Sequence, residues 1–256
     1  MNKEMTIDQL KVQILPDRDA CGKAAARHVS ALMRGLLRLR PTISMCFGAA
    51  PSQNEFFAAL SEESAIDWSR VIAFQLDEYI GLRPDDRRVL RHYFEKHFYS
   101  KKRPGQTPFL EPDAPNLKGE CGRYAALLAR NPLDISCVGI GESCHLAYND
   151  PHVADFDDPE VIKVVEVDEM SRMQQVHDGT VKRVGDAIAI AYTLTIPTLM
   201  RAKHVSCVAP GKVKASAVAR TLREAISEKY PSTILRKHLN GVLFLDRDSA
   251  SGLSQQ

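Results

Sequence analysis

The sequence predicts an α/β fold: a doubly wound, mostly parallel, Rossmann-like sheet with helices on both faces, forming a single domain over residues 1–256. Two observations carry that prediction. Short apolar runs alternate along the chain with segments whose apolar residues recur at helical spacing, an order that favours parallel strands joined by covering helices. At 256 residues the chain is also long enough to bury most of its apolar surface in one core without staples.

The elements follow in order. Residues 10–15 alternate apolar and polar side chains like a strand, and Ala20, Ala24, Val29, Met33, Leu36 and Leu37 then recur at helical spacing. A strand over 43–47 precedes a helix over 51–60, and a strand over 71–74 precedes a helix over 89–99. Residues 135–140 read as another strand, 205–208 as a short strand before a helix over 214–225, and 242–245 as the last strand. A polar loop spans 82–88 and a polar tail spans 249–256. There is no internal repeat.

Composition excludes several function classes. With 34 Lys and Arg against 32 Asp and Glu the net charge is +2, and the basic residues are dispersed, so the electrostatic footprint of a nucleic-acid-binding protein is missing. The six cysteines are scattered without Cys-x-x-Cys pairs, which fits reduced thiols. Residues 1–9 lack the apolar core of a secretory signal. The longest apolar stretch, 187–197, is shorter than the ~20 residues a membrane span requires. A cytoplasmic protein with no membrane partner is expected.

Open parallel sheets bind ligands at the carboxyl ends of their strands, and four segments fall there. Gly48-Ala49-Ala50-Pro51-Ser52 leads into a helix whose free N–H groups would suit an anion, although on this segment alone a tight strand-to-helix turn without a ligand is the simpler reading. Asp77 and Glu78 are adjacent on a strand end, so one faces the crevice and the other faces packing or solvent. Gly139 to Gly141 lacks the third glycine of a dinucleotide fingerprint, and no nicotinamide cofactor is implied. His145 is either a structural histidine or a proton shuttle oriented by Asp150. Lys214 reads as an ordinary first-turn lysine, although a cation there is poorly placed against a helix N-terminus unless an anion sits nearby.

The combination is more specific than its parts. Residues 74–82, 139–151 and 211–215 resemble, in order and spacing, the signature segments of glucosamine-6-phosphate deaminases; 193–200 and 231–235, with His238, resemble later segments of that family. The resemblance runs from about Thr42 to Asp246. The sister 6-phosphogluconolactonases share the fold and the Gly-x-Gly…His loop, but they would carry Arg at the position of Tyr79 and a Thr-Ala-Ser run after the histidine.

The resemblance implies a sugar-phosphate isomerase/deaminase that uses no cofactor and no metal. Asp77 matches the carboxylate that moves a proton between C2 and C1 of an open-chain amino sugar. His145 matches the histidine that protonates the ring oxygen, and Asp150 stands for the glutamate that pairs with it. Lys214 and the Gly48, Ala49, Ala50 and Ser52 turn match the phosphate site. Three departures stand out. Ser143 and Cys144 replace the family's aspartate and glycine, which leaves Asp150 as the sole acid expected beside His145. The phosphate turn lacks threonines, with Ser52 as a partial substitute. Asp157-Asp158-Pro159-Glu160 stands where a Ser-Arg-Thr-Arg run is usual, exchanging a phosphate-gripping arginine for acids. The exact sugar, amine release and a homo-oligomeric state stay open; a lactonase-like hydrolase and a non-catalytic sugar-phosphate sensor are the alternatives.

Overall fold

The computed structural model describes residues 3–253. Chain order runs β1 (Lys3–Ile7), β2 (Leu10–Leu15), α1 (Arg18–Leu39), β3 (Ile43–Phe47), α2 (Asn54–Glu62), β4 (Val71–Gln75), β5 (Asp77–Tyr79), α3 (Leu90–Phe94), α4 (Leu117–Arg130) and β6 (Ile135–Val138). It continues through β7 (Ile162–Glu166), α5 (Glu169–His177), β8 (Ile190–Leu194), α6 (Ile196–Met200), β9 (His204–Val208), α7 (Ala215–Arg223) and β10 (Gly241–Asp246).

Seven strands form one sheet in the order β1-β2-β10-β9-β6-β3-β4. All its pairings are parallel except that of β1 with β2. Side-chain alternation along the strands divides the core into two layers. Cys46, Ile72 and Phe74 pack with Tyr124 and Leu128 of α4 and Val218 of α7. Met45, Phe47, Val71 and Ala73 face the other way, onto Val29 and Met33 of α1 and Phe56 and Phe57 of α2. Covering both faces buries all five residues of β3 and of β4, which is why these strands read as continuous apolar runs. The doubly wound, mostly parallel sheet is therefore as expected.

Several elements differ from the expectation. The 3-10 turn Pro51–Gln53 precedes α2, and α3 passes into a π-helical turn over Glu95–Tyr99. The predicted strand 135–140 ends at Val138 because Gly139 starts a loop. The polar start forms β1, turning at Asp8 with a φ of 51°. Helices α4 and α5 and a second sheet, β5-β8-β7 and antiparallel, have no counterpart in the sequence reading. Strand β5 has three residues, too few for a period to show, and part of the apolar stretch 187–197 is β8. Of the predicted tail, Ser249–Leu253 is a 3-10 turn and 254–256 lie outside the described residues. All six cysteines are free, and no helix among the described residues is long and apolar enough to cross a membrane.

Strand β3 lies between β4 and β6. The chain therefore moves outward from β3 to β4 and later returns on the other side at β6. Such a reversal opens a crevice at the carboxyl ends of the strands.

Candidate active site

A cavity of about 740 Å³ occupies that crevice, and Gly48, Ala49, Ala50, Ser52, Asp77, His145 and Lys214 all line it. Asp150 and Ser143 do not line it; they stand behind His145.

Strand β5 decides which acid reaches the cavity. Glu78 is fully buried and turned away. It accepts hydrogen bonds from Gln75 Nε2 (3.0 Å) and from the backbone N–H groups of Tyr79 (2.9 Å), Leu90 (2.9 Å) and Arg91 (3.3 Å). It thereby ties β5 to the start of α3. Asp77, 9% exposed, faces the cavity, and no donor among the described residues reaches its carboxylate. Burial, together with the charge of Glu78, pushes the Asp77 carboxyl up to about 8.

The histidine loop is strained and is held by the second sheet. Cys144 and Ala147 flank His145 with φ of 66° and 52°, a region that costs a residue with a Cβ ~1–2 kcal/mol. Asn149 Nδ2 donates to Leu146 O and Leu194 O, both at 2.8 Å, and the Tyr148 N–H donates to Thr193 Oγ1 at 3.0 Å. Strand β8 thus fixes the loop it faces. Gly141 is required by contact: a Cβ there would lie 2.0 Å from His145 Nε2. The imidazole rests on the bare Cα.

His145 Nδ1 lies 2.9 Å from Asp150 Oδ1. Ser143 Oγ (2.8 Å) and Ser171 Oγ (2.7 Å) approach the same nitrogen, and both hydroxyls donate to Asp150 Oδ1. The Asp168 N–H donates to Asp150 Oδ2 at 3.1 Å. Burial alone would push the Asp150 carboxyl up, but the adjacent His145 charge and these donated bonds hold it well below the carboxylate range. Asp150 is the one carboxylate at this nitrogen among the described residues; Ser143 keeps its place in the cluster through its hydroxyl, and Ser171 joins from α5. With Nδ1 turned to the acid, Nε2 is left beside Gly141, on the cavity side.

At the other end, the N–H groups of Ala49 and Ala50 have no acceptor among the described residues, whereas the Gly48 N–H donates to Cys137 O. Lys214 is 4% exposed. Burial lowers its ammonium pKa, while Asp178 and Glu142 oppose the shift. Asp178 lines the cavity, accepts from Gln174 Nε2 at 3.2 Å and is pushed up by burial. Residues 157–160 do not line the cavity; Asp158 instead pairs with Lys163 of β7 at 2.7 Å. The acids that replace the Ser-Arg-Thr-Arg run therefore lie outside this site. Ser171 and Asp178 were missed by sequence reasoning, because no spacing signal marks α5 as part of a site.

Similarity to known proteins runs along most of the chain. The family model for glucosamine-6-phosphate isomerases/6-phosphogluconolactonase matches residues 16–244. The glucosamine-6-phosphate deaminase of Bacillus thuringiensis (strain Al Hakam) is 32% identical over 220 residues, covering 84% of this chain and 79% of that protein. Among solved structures, a monomeric glucosamine-6-phosphate deaminase superposes with a TM-score of 0.85 at 23% identity, covering 94% of this chain and 99% of that one. The 6-phosphogluconolactonase from Trypanosoma cruzi superposes with a TM-score of 0.77 at 15% identity, covering 98% and 99%. With most of its length matched, from the end of β2 into β10, the chain belongs to the glucosamine-6-phosphate isomerase/6-phosphogluconolactonase family.

Proposed function

We propose that this chain is a sugar-phosphate isomerase/deaminase that converts an amino-sugar phosphate to a ketose phosphate and ammonia. The observation that carries this reading is Asp77, a carboxylate on the cavity wall that no donor among the described residues reaches, in the same cavity as an imidazole whose Nδ1 is held by Asp150. A dry carboxylate is a strong base once ionised, and a group poised near neutrality serves both as base and as acid. In this reading Asp77 removes the proton from C2 and returns it to C1. His145, backed by Asp150, Ser143 and Ser171, donates a proton to the ring oxygen and opens the pyranose. The Ala49 and Ala50 N–H groups, Ser52 and Lys214 receive the phosphate.

Lactone hydrolysis is the second reading. It calls for activation of water and leaves a dry carboxylate such as Asp77 without a task, so the geometry favours proton transfer at carbon. The test is ammonia release, with exchange of the C2 proton into D2O, across a panel of amino-sugar phosphates. Exchange and ammonia release are expected on at least one of them. Hydrolysis of 6-phosphogluconolactone without any exchange would favour the lactonase, and tight binding of a sugar phosphate without turnover would favour a sensor.

A further inference from the structure

Two phenols in the cavity have no part in the roles above. Tyr79 stands two residues after Asp77 on β5, so the two side chains share a face, about 7 Å apart along the strand. Tyr148 stands three residues after His145, with its ring centroid 6.0 Å from the imidazole. Tyr148 Oη donates to Tyr79 Oη at 2.7 Å, and both residues line the cavity. The phenol pair thus joins the strand that carries the base to the loop that carries the histidine.

Two phenols carry two O–H protons, and this bond uses one. The other, on Tyr79, has no acceptor among the described residues, although Tyr79 is only 4% exposed. A buried donor without an acceptor is costly unless a ligand completes it. The donor is also kept available. Burial raises the Tyr79 phenol, against the bond from Tyr148, which lowers it, so the hydroxyl remains protonated near neutral pH.

We propose that Tyr79 donates its free proton in a hydrogen bond to the sugar oxygen O1 as that oxygen becomes negative, and that Tyr148 is a positioning residue for Tyr79. The inference rests on the proton-transfer reading of the site. When the Asp77 carboxylate takes the C2 proton, the C–H electron pair becomes the C1–C2 double bond and the carbonyl π pair moves onto O1. The negative charge passes from Asp77 to O1. Tyr79 keeps its proton and stabilises that charge. The bond received from Tyr148 polarises the Tyr79 O–H and makes it a stronger donor.

The experiment measures C2 proton exchange and turnover of glucosamine 6-phosphate by wild type, Tyr79→Phe and Tyr148→Phe. It also measures the affinity of each for two probes: the hydroxamate of a five-carbon sugar-acid 5-phosphate, which mimics the charged intermediate, and glucitol 6-phosphate, which does not. Losing one such donor costs ~10²- to 10³-fold in kcat, so Tyr79→Phe is expected to lose about that factor with KM nearly unchanged, and to lose its preference for the hydroxamate. Tyr148→Phe should lose ~3- to 10-fold in kcat, the scale of one hydrogen bond. It removes one oxygen and decides the matter if Tyr79→Phe fails to fold. An unchanged kcat in a folded Tyr79→Phe, or in Tyr148→Phe when Tyr79→Phe does not fold, overturns the inference while wild-type exchange leaves the proton-transfer reading standing. If wild type shows neither exchange nor preference for the hydroxamate, both fall.

Discussion

Asp77 and Asp150 are both buried and both belong to one site, yet their surroundings push them in opposite directions. Asp77, on β5, receives no hydrogen bond among the described residues and has a second acid as its neighbour in sequence; burial holds its proton on. Asp150, fully buried behind the histidine, accepts from Ser143, Ser171 and the Asp168 N–H and faces the imidazole. In the proposed reading, a pair of carboxyls separated in this way divides the labour: the raised one exchanges protons, and the lowered one stays charged and orients its partner.

The largest expected effect is that of Asp77→Asn. Proton exchange at C2 should fall by ~10²- to 10⁴-fold, the scale of losing one acid–base group. The same variant should be more stable than wild type near neutral pH. The folded-state pKa of Asp77 lies above its unfolded value, so the native state holds a proton that the unfolded chain releases. Its contribution to stability is therefore lost as pH rises from about 4 toward 8. Denaturant unfolding at pH 5 and pH 8 should show the advantage of the variant growing with pH, by on the order of 1–3 kcal/mol. An advantage that does not change with pH would break the contrast with Asp150.

Asp150→Asn should act in the opposite sense on stability. A carboxyl held below its unfolded value stabilises the fold above that value, and the contribution is lost as pH falls through the native one. The variant should be less stable than wild type at pH 7 by roughly 1–3 kcal/mol, with the deficit shrinking in acid. Turnover should fall ~10²-fold as the imidazole loses its orienting charge; a variant as stable as wild type at pH 7 would remove the assigned role.

The smallest effect sharpens the account of the loop between the two acids. Ala147 holds a φ of 52° that glycine adopts without strain, so Ala147→Gly should change stability by no more than ~1 kcal/mol, in the stabilising direction. A lower denaturation midpoint would mean that the methyl group contributes more than the backbone strain costs.

The parallel sheet was legible because strands buried on both faces write themselves as apolar runs, as in residues 43–47 and 71–74. The same reading located Asp77, His145 and Lys214, since each follows such a run or the glycine turn after it. The second sheet was not legible. Its strands are only three to five residues long, and they pair residues 77–79 with 191–193, far apart in the chain. Ser171 was hidden for a related reason: α5 carries few apolar residues, so its amphipathic period is weak.

The sequence by itself therefore determined the strand-and-helix order, the turns that end the strands and the residue types that reach the crevice, because these depend on local period and on backbone conformation. Only the tertiary structure decided which of Asp77 and Glu78 faces the cavity, that Ser143 and Ser171 share one histidine nitrogen, and that residues 157–160 lie outside the site. Those outcomes depend on distance through space, burial and donated hydrogen bonds, which are set by segments remote in the chain and leave no periodic trace in it.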